Sequence, residues 1–376
     1  MFSRGLLAKS LKNNINKFHF KVSINISDII PIIIVFQSFL FAIVLLTDNG
    51  PKKASNRYLA FFLILLGIQF YAIVSNNLGL ESNFLISSIC IYGFSYGPLL
   101  YLYSKSLIYK SYHFQAAHLL HFIPVSLILV FSGLGYSVCG SIGFLLYISL
   151  LIYIVLAIRE ILNYRKVIRE TQSTIDQTDL VWLQWTMILF SVALLLDIVD
   201  QFLYQMDFVG GISSIHLTIV LLVNWMFYKG LKQPQIFLGI TKMDEEVLLD
   251  RQNITSPKVP ESEEQLELEH IQNFMREHDL YTNPQLNLKE LSERLDIAPR
   301  RLSYLINTFL NQNFMSFVND YRIEKAKFQL ANPTEEGETV LEVMYDVGFN
   351  SKSSFFTIFK QKTGLTPSAY KDKHAS

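Results

Sequence analysis

The chain has 376 residues, of which 51% are hydrophobic and 14% aromatic, and its mean hydropathy is +0.29. A soluble surface does not tolerate this much apolar material, so the composition excludes a wholly soluble globular protein and predicts a membrane portion. The 32 basic and 32 acidic residues balance, so the total charge predicts neither polyanion binding nor binding of acidic partners. Two cysteines are too few for a disulfide-stapled scaffold or a thiolate metal site.

Uncharged runs dominate the first 232 residues. A helix of roughly 20 apolar residues crosses the hydrocarbon of a bilayer, and seven runs approach or exceed that length. They lie approximately at 29–47, 58–74, 84–104, 116–134, 142–158, 180–196 with an extension to 204, and 212–228. The segment 133–143 is rich in Gly and Ser and divides the fourth run from the fifth. We expect a bundle of about seven membrane-spanning helices.

Basic residues in the short loops predict the orientation of these spans. The loops after the first, third, fifth and seventh runs hold eleven Lys and Arg residues, and the loops on the other side hold none. Because positive loops stay in the cytoplasm, everything after the seventh span is expected to be cytoplasmic, and the protein is expected in the inner membrane. The N-terminal tail, with five Lys and Arg residues, conflicts with this orientation.

The composition changes abruptly after residue 232. Acidic and amide residues, with Pro257 and Pro260, predict a linker before a new helical pattern. We therefore divide the chain into a tail (1–27), a seven-helix membrane domain (28–232), a linker (233–264) and a soluble domain (265–376). A flexible linker of this length would let the last domain stand clear of the bilayer.

The soluble domain contains the same pattern twice. Leu288, Leu291 and Leu295 form an apolar stripe, and a turn at Asp296 separates it from a second helix that starts after Pro299. The second copy has a stripe at 340–344, a turn at 348–350, and a helix that bears Phe355, Phe356 and Phe359 and ends at Gly364. Two short helices joined by a tight turn are typical of a helix-turn-helix, so the fold class is all-α with two such units.

A helix at 317–331 is predicted to join the two units, with Arg322, Glu324, Lys325 and Lys327 on its solvent side. This helix would be roughly 22 Å long and would act as a rigid spacer. With the flanking helices it could hold two recognition helices about 34 Å apart, which is one turn of DNA.

The runs DYRIEKAK and DVGFNSKSSFFTIFKQKTGLTPSAY, together with YTNPQLNLKELSERL, resemble the C-terminal domain of the AraC/XylS transcription regulators. The resemblance covers roughly 266–373 and implies that one helix of each unit reads DNA bases. It places Arg300, Ser303 and Tyr304 in the first reading helix and Lys352, Ser353, Ser354 and Thr357 in the second, with Arg301, Lys360 and Lys362 as phosphate contacts. Asp296 stands where the family usually has Gly, and Met344 where it has a small residue.

The charge of this domain is nearly neutral. Residues 288–376 hold 12 basic and 11 acidic residues, so non-specific attraction to DNA is expected to be weak. Binding would then depend on base contacts, on a homodimer or on an inducing signal.

Polar residues in the apolar region are the candidates for signal recognition. Asp197 and Asp200 share a helical face, and His216 enters the next span from the same side of the bilayer. They predict either a polar ligand or proton sensor, or an interfacial cluster that fixes packing, and the second is favoured because Asp200 lies near a helix end. His118 and His121 lack a third ligand, so no metal site is expected. Cys90 and Cys139 could pair on the outer face, but buried free thiols are the commoner case.

The leading hypothesis is a membrane-anchored one-component regulator that binds double-stranded DNA, with the membrane domain as its sensor. The signal, a small molecule or an envelope condition, is not identified by any residue, and RNA polymerase is a further expected partner. The alternatives are a transporter or membrane scaffold whose cytoplasmic tail is regulatory or binds protein. The sequence holds no phosphate-binding glycine loop, nucleophile elbow or zinc helix, so neither an enzyme nor a cofactor is expected.

Overall fold

A computed structural model describes residues 26–48, 53–79, 89–110, 112–134, 136, 139–174, 180–202, 214–232, 240–241, 244, 246, 261–333 and 338–374. Within these ranges the regular elements are helices, and β pairing is limited to two isolated bridges. The expected all-α class is confirmed for this part of the chain. The helices form two compact units, one of Met1–Tyr103, Phe114–Ile154 and Thr186–Gly230, and one of Ser104–His113, Val155–Trp185 and Leu231–Ser376.

The apolar region folds into long helices. Their bounds are α1 Ile26–Thr47, α2 Lys53–Asn77, α3 Ile89–Ile108, α4 Ile123–Gly133, α5 Cys139–Thr171, α6 Val181–Phe202 and α7 Ser214–Lys232, and a 3₁₀ segment, Ala116–Phe122, leads into α4. Large apolar side chains such as Phe36, Phe144 and Leu196 are exposed on these helices. A soluble protein rarely exposes so much apolar surface, whereas a lipid-facing helix does.

Four helices among the described residues are long and apolar enough to cross a membrane. They are Asp28–Thr47, Lys53–Asn77, Ala116–Gly133 and Ile142–Thr171, and Val181–Leu196 is a shorter apolar helix. These positions correspond to the first, second, fourth, fifth and sixth predicted spans. Helices α3 and α7 coincide with most of the third and seventh predicted spans, and the first residues of these two spans lie outside the described ranges. The basic N-terminal tail also lies outside them. Seven spans remain a prediction.

Cys139, at the start of α5, is disulfide-bonded. The expectation of free buried thiols is therefore wrong for this residue. The sequence alone does not reveal this disulfide bond, because its formation depends on the distance between two cysteines that the folded helices bring together.

The described residues of the C-terminal region form seven further helices. They are α8 Ser262–Glu277, α9 Leu288–Leu295, α10 Pro299–Phe309, α11 Phe314–Ala331, α12 Val340–Asp346, α13 Lys352–Thr363 and α14 Pro367–His374, with a 3₁₀ turn at Leu280–Thr282. We call α9 and α10 the first helix pair, and α12 and α13 the second helix pair.

Local signals set the ends of the first helix pair. Asn287 caps α9, since its side chain accepts a hydrogen bond from the Glu290 amide at 3.0 Å. The turn expected at Asp296 is confirmed, and its φ of 56° is a left-handed conformation that Asp tolerates. Pro299 occupies the first turn of α10, where its missing N–H costs nothing.

The second helix pair has its own caps. Thr339 and Glu342 form a reciprocal capping box at the start of α12. Ser351 caps α13, and Gly364 ends it with φ of 77°. Between the helices Gly348 has φ of 93°, and a Cβ there would lie 2.6 Å from the carbonyl oxygen of Tyr281. The turn therefore requires glycine for both its conformation and its close approach to the chain before the first pair.

Two apolar cores lie along α11. Phe314, Phe317 and Val318 pack into a core with the first helix pair and α8. Ile323, Ala326 and Leu330 pack into a core with the second pair. One continuous helix therefore carries both helix pairs.

Arg322 lies where these two cores meet, and its side chain is fully buried. The expectation that it faces solvent is wrong. Val318 and Ala326, four residues to either side, are buried as well, so helical geometry places Arg322 on the inner face of α11.

Two loops of the apolar region pair with the C-terminal region. Gln172, after α5, forms an antiparallel bridge with Asn287, and Tyr109, after α3, forms a parallel bridge with Ile240. The Ile240 amide donates to the Ile108 carbonyl at 2.9 Å. Backbone hydrogen bonds thus join these loops to Ile240 and to the segment before α9, while most of the predicted linker, 233–264, lies outside the described residues.

We predict that Gly348→Ala loosens the second helix pair. A non-glycine residue in the left-handed region costs roughly 1–2 kcal/mol, and the new Cβ must also displace backbone. Amide hydrogen exchange of α12 and α13 in the full chain should become about 30- to 100-fold faster. Gly364→Ala is the matched control: its φ is 77° but no atom lies within 4 Å, so about tenfold or less is expected. Equal effects would contradict the close contact.

Candidate DNA-binding surface

Helix α10 separates a buried face from an exposed one. Leu302, Leu305 and Ile306 are fully buried in the first core. Arg300 is half-exposed on the opposite side, with Tyr304 partly exposed one turn further along. The exposed stripe of α10 thus presents a guanidinium and a phenol to an incoming ligand.

The two arginines at the start of α10 have different surroundings. Arg301 donates to Glu267 of α8 through Nε at 2.9 Å and Nη2 at 2.6 Å, and this carboxylate raises the pKa of the guanidinium. It also approaches Glu264 at 3.5 Å. Arg300 has a longer contact of 3.8 Å with Glu246, in which both side chains are half-exposed. Arg300 is therefore the more available cation.

Ser303 and Tyr304 also differ in access. Ser303 is only 5% exposed, and the side-chain amide of Asn307 donates to its hydroxyl at 3.0 Å. Tyr304 lies under the Arg301 guanidinium at 5.5 Å from the ring centroid. Asn307, which the sequence analysis did not select, lies one turn beyond Ser303. Its Nδ2 also donates to the Ser303 carbonyl at 2.9 Å, and its Oδ1 is buried, so Asn307 does not extend the exposed stripe of α10.

Helix α13 buries Phe355 and Phe359 and exposes the opposite side. The exposed side chains from the sequence prediction are Lys352, Ser353, Thr357 and Lys360. Ser354 is partly buried, and its amide donates to the Ser351 hydroxyl at 3.4 Å as part of the helix cap. Lys352 lies 5.3 Å from the Phe356 ring centroid, an arrangement that keeps its ammonium near the helix start.

Lys362 was also predicted as a phosphate contact. Its ammonium pairs with Asp320 of α11 at 2.6 Å. Gln361, which the sequence analysis left out, is exposed beside Lys360 and lies four residues from Thr357, so it shares the open face. We call Arg300, Tyr304, Lys352, Ser353, Thr357 and Lys360 the reading surface.

A cavity of about 810 Å³ lies among the apolar helices of the first unit. Its described lining residues include no Asp, Glu, Lys or Arg. Polar side chains of the lining residues include Gln69, Tyr96, Tyr147, Thr186 and His216, and the Tyr96 hydroxyl donates to the Gln69 amide oxygen. Of the predicted sensor residues, His216 is on the cavity wall, edge-on to Phe70 at 5.2 Å between ring centroids. The side chains of Asp197 and Asp200 lie outside the described part of the structure.

The histidines near α4 have partners of other kinds. His118 Nδ1 accepts from the Gln115 amide at 3.1 Å, and His121 Nδ1 lies 3.0 Å from the Tyr153 hydroxyl. Among the described residues no three metal-ligating side chains cluster.

Known proteins resemble the C-terminal part of the chain. Residues 291–373 match the family model described as helix-turn-helix domain. The chain carries an AraC-type helix-turn-helix domain at its C-terminus. Because this match covers less than a quarter of the chain, it says nothing of the apolar region.

Curated relatives agree with the family model over the same region. The HTH-type transcriptional regulator YdeC of Bacillus subtilis is 33% identical over 86 residues, which cover 23% of this chain and 28% of YdeC. The HTH-type transcriptional regulators SAS0078 and SA0097 of Staphylococcus aureus are each 36% identical over 93 residues, which cover 25% of this chain and 12% of each relative. The similarity thus spans less than a third of these relatives. No solved structure is significantly similar to the chain.

We predict that Glu267→Gln strengthens DNA binding. The substitution releases Arg301 from its carboxylate, so the guanidinium can reach a phosphate. Affinity at low salt should rise about three- to tenfold, and its dependence on salt should steepen. Glu263→Gln removes the same charge from an exposed position of α8 and serves as the control. Equal effects of both substitutions would show that only total charge matters.

Proposed function

We propose that the protein is a membrane-anchored transcription regulator that binds specific DNA sequences and takes its signal through its apolar helices. The observation that carries the proposal is that a single chain combines a helix-turn-helix domain with a series of long apolar helices. Residues 291–373 match a helix-turn-helix domain, and four helices before them are long and apolar enough to cross a membrane. The absence of Lys and Arg from alternate loops supports a cytoplasmic location for the DNA-binding part.

The two helix pairs act as two helix-turn-helix units in this proposal. α10 and α13 are the recognition helices, because each follows a tight turn and has an exposed polar face over a buried apolar one. α11 packs against both pairs through its two cores, so it restrains the distance between them. A site of two half-sites in successive major grooves of one DNA face, roughly 10 base pairs apart, fits this arrangement.

The reading surface carries three cations, Arg300, Lys352 and Lys360, in a domain whose net charge is nearly neutral, so specificity rests on its hydrogen-bonding groups. Arg300 can bond guanine with two donors, and Ser353 and Thr357 suit several base edges. Two of the three predicted phosphate-contacting cations, Arg301 and Lys362, are paired with carboxylates of the same domain. A low non-specific affinity favours a regulator that occupies DNA selectively.

The function can be tested with the full chain in lipid nanodiscs and a pool of random-sequence duplexes, at several salt concentrations. Selection should enrich a site with two half-sites. Arg300→Ala and Lys352→Ala should each lower affinity for it, by about 10- to 100-fold for Arg300→Ala and less for Lys352→Ala. Lys289→Ala removes an equal charge from exposed Lys289 of α9 and should change affinity less than threefold. No enrichment at any salt would rule out sequence-specific binding.

The cavity is the proposed signal site. Its volume falls within the range of roughly 300–1,000 Å³ that is usual for small-molecule sites. A charged ligand would have to leave water without a counter-charge among the described lining residues, which costs several kcal/mol. The signal is therefore an uncharged, mostly apolar molecule whose hydrogen-bonding group meets Gln69, Tyr96 or His216.

A diazirine-bearing long-chain alcohol tests this site by photolabelling. We expect labelling of the cavity residues that saturates and is displaced by the unlabelled alcohol. Leu150→Trp should abolish the saturable labelling, because Leu150 is 3% exposed and lines the cavity. Leu145→Trp, on an exposed position of the same helix, should leave it unchanged. Labelling that never saturates would mean that the alcohol reaches these residues only as bulk lipid does.

A further inference from the structure

The guanidinium of Arg322 has five N–H donors, and each has an acceptor. Nε donates to the Tyr281 carbonyl at 2.7 Å, Nη1 to Asn319 Oδ1 at 3.3 Å and Nη2 to the Asn283 carbonyl at 2.8 Å. The remaining two acceptors belong to Ser173, in the turn after α5. Nη1 donates to the Ser173 carbonyl at 3.2 Å and Nη2 to its hydroxyl at 3.1 Å. A loop of the apolar region thus supplies two of the five acceptors of a buried cation.

Residues 172–174, which we call the α5 turn, are held by backbone contacts as well. The Ser173 amide donates to the Leu286 carbonyl at 3.1 Å, and Gln172 forms a bridge with Asn287. The Thr174 hydroxyl donates to the Pro284 carbonyl. Ser173 is 1% exposed. The α5 turn is therefore docked along the segment that precedes α9.

Arg322 contacts the turn of the second helix pair and the segment that precedes the first. Its guanidinium carbon lies 5.5 Å from the centroid of Phe349, in the turn of the second pair. Its acceptors at Tyr281 and Asn283 lie in the segment that leads to the first pair. The same residue thus touches the α5 turn, the approach to the first pair and the turn of the second pair.

We propose that the α5 turn is a clasp that sets the position of the two helix pairs relative to each other, so that a movement of α5 changes binding to DNA sites that engage both. The proposal rests on the proposed DNA-binding function. When Ser173 withdraws, two donors of a buried cation lose their acceptors, and the junction must open to admit water. The two helix pairs then keep their packing on α11 but lose the contacts through which Arg322 joins the approach to the first pair to the turn of the second pair.

The hydrogen bonds between Ser173 and Arg322 are of a kind that can form and break reversibly. All five acceptors are uncharged carbonyl, amide or hydroxyl oxygens, so no carboxylate holds Arg322 permanently. α5 is continuous from Cys139 to Thr171, and its earlier residues, including Leu150, line the cavity. A ligand that shifts α5 would therefore act on the clasp through a single helix.

Ser173→Lys in the full chain opens the clasp, because it places a second cation against Arg322. Ser262→Lys, at an exposed position of α8, is the control with the same charge change. In nanodiscs, hydrogen exchange of 172–174 and 281–287 should quicken at least tenfold in Ser173→Lys and stay unchanged in Ser262→Lys. Ser173→Asp gives Arg322 a charged acceptor and should slow the exchange of both segments. Fast exchange of both segments in the unsubstituted protein would overturn the clasp.

Affinity for DNA shows whether Ser173 couples the two helix pairs or only maintains the fold of the domain. Ser173→Lys should lower affinity for a duplex with two half-sites at least tenfold, and change affinity for a duplex with one half-site less than twofold. Equal losses on both duplexes would show that Ser173 only maintains the fold, and no loss would show that the clasp does not couple the pairs; either result overturns the proposal. Failure of the unsubstituted chain to bind any duplex would instead overturn the DNA-binding function, which the exchange measurement does not depend on.

Discussion

The C-terminal region is organised around the buried charge of Arg322. Removing a guanidinium from water costs several kcal/mol, and a site can accept it only if every donor finds an acceptor. Burial lowers its pKa to about 10, so the side chain remains a cation at neutral pH. Because the charge persists, the segments that supply its five acceptors must stay in place together. Three separate stretches of chain are thereby constrained by one side chain.

The reading surface depends on the same helix. α11 carries the core of the first pair on its N-terminal half and the core of the second pair on its C-terminal half, with Arg322 between them. Asp320, two residues earlier, pairs with Lys362 of α13 and accepts from Gln312 at 2.7 Å. The internal pairs that neutralise Arg301 and Lys362 reduce the positive potential of the surface. In the proposed regulator, weak attraction to DNA together with attachment to the loops of the apolar region would suit conditional binding.

Much of the helix-turn-helix geometry could be predicted because its causes are local. Pro299 begins a helix, Gly364 ends one, and Asp296 adopts the left-handed conformation at a turn, since each depends on the backbone preferences of one residue. Apolar spacing likewise located the buried faces of α10 and α13. The burial of Ser303 was missed, because a serine inside a helix is compatible with either face until its neighbours are placed.

The sequence by itself determined an apolar helical region, a change of composition after residue 232 and a helix-turn-helix domain at the C-terminus, because periodicity, composition and caps act over a few residues. Only the tertiary structure decided that Arg322 is buried and that Ser173 holds it, across 149 residues of chain. Charge alone predicted a solvent-facing arginine, although its four-residue spacing from Val318 and Ala326 indicated the inner face. Burial of a cation becomes acceptable only when distant segments bring their carbonyl oxygens to it, and no local pattern records where those segments meet.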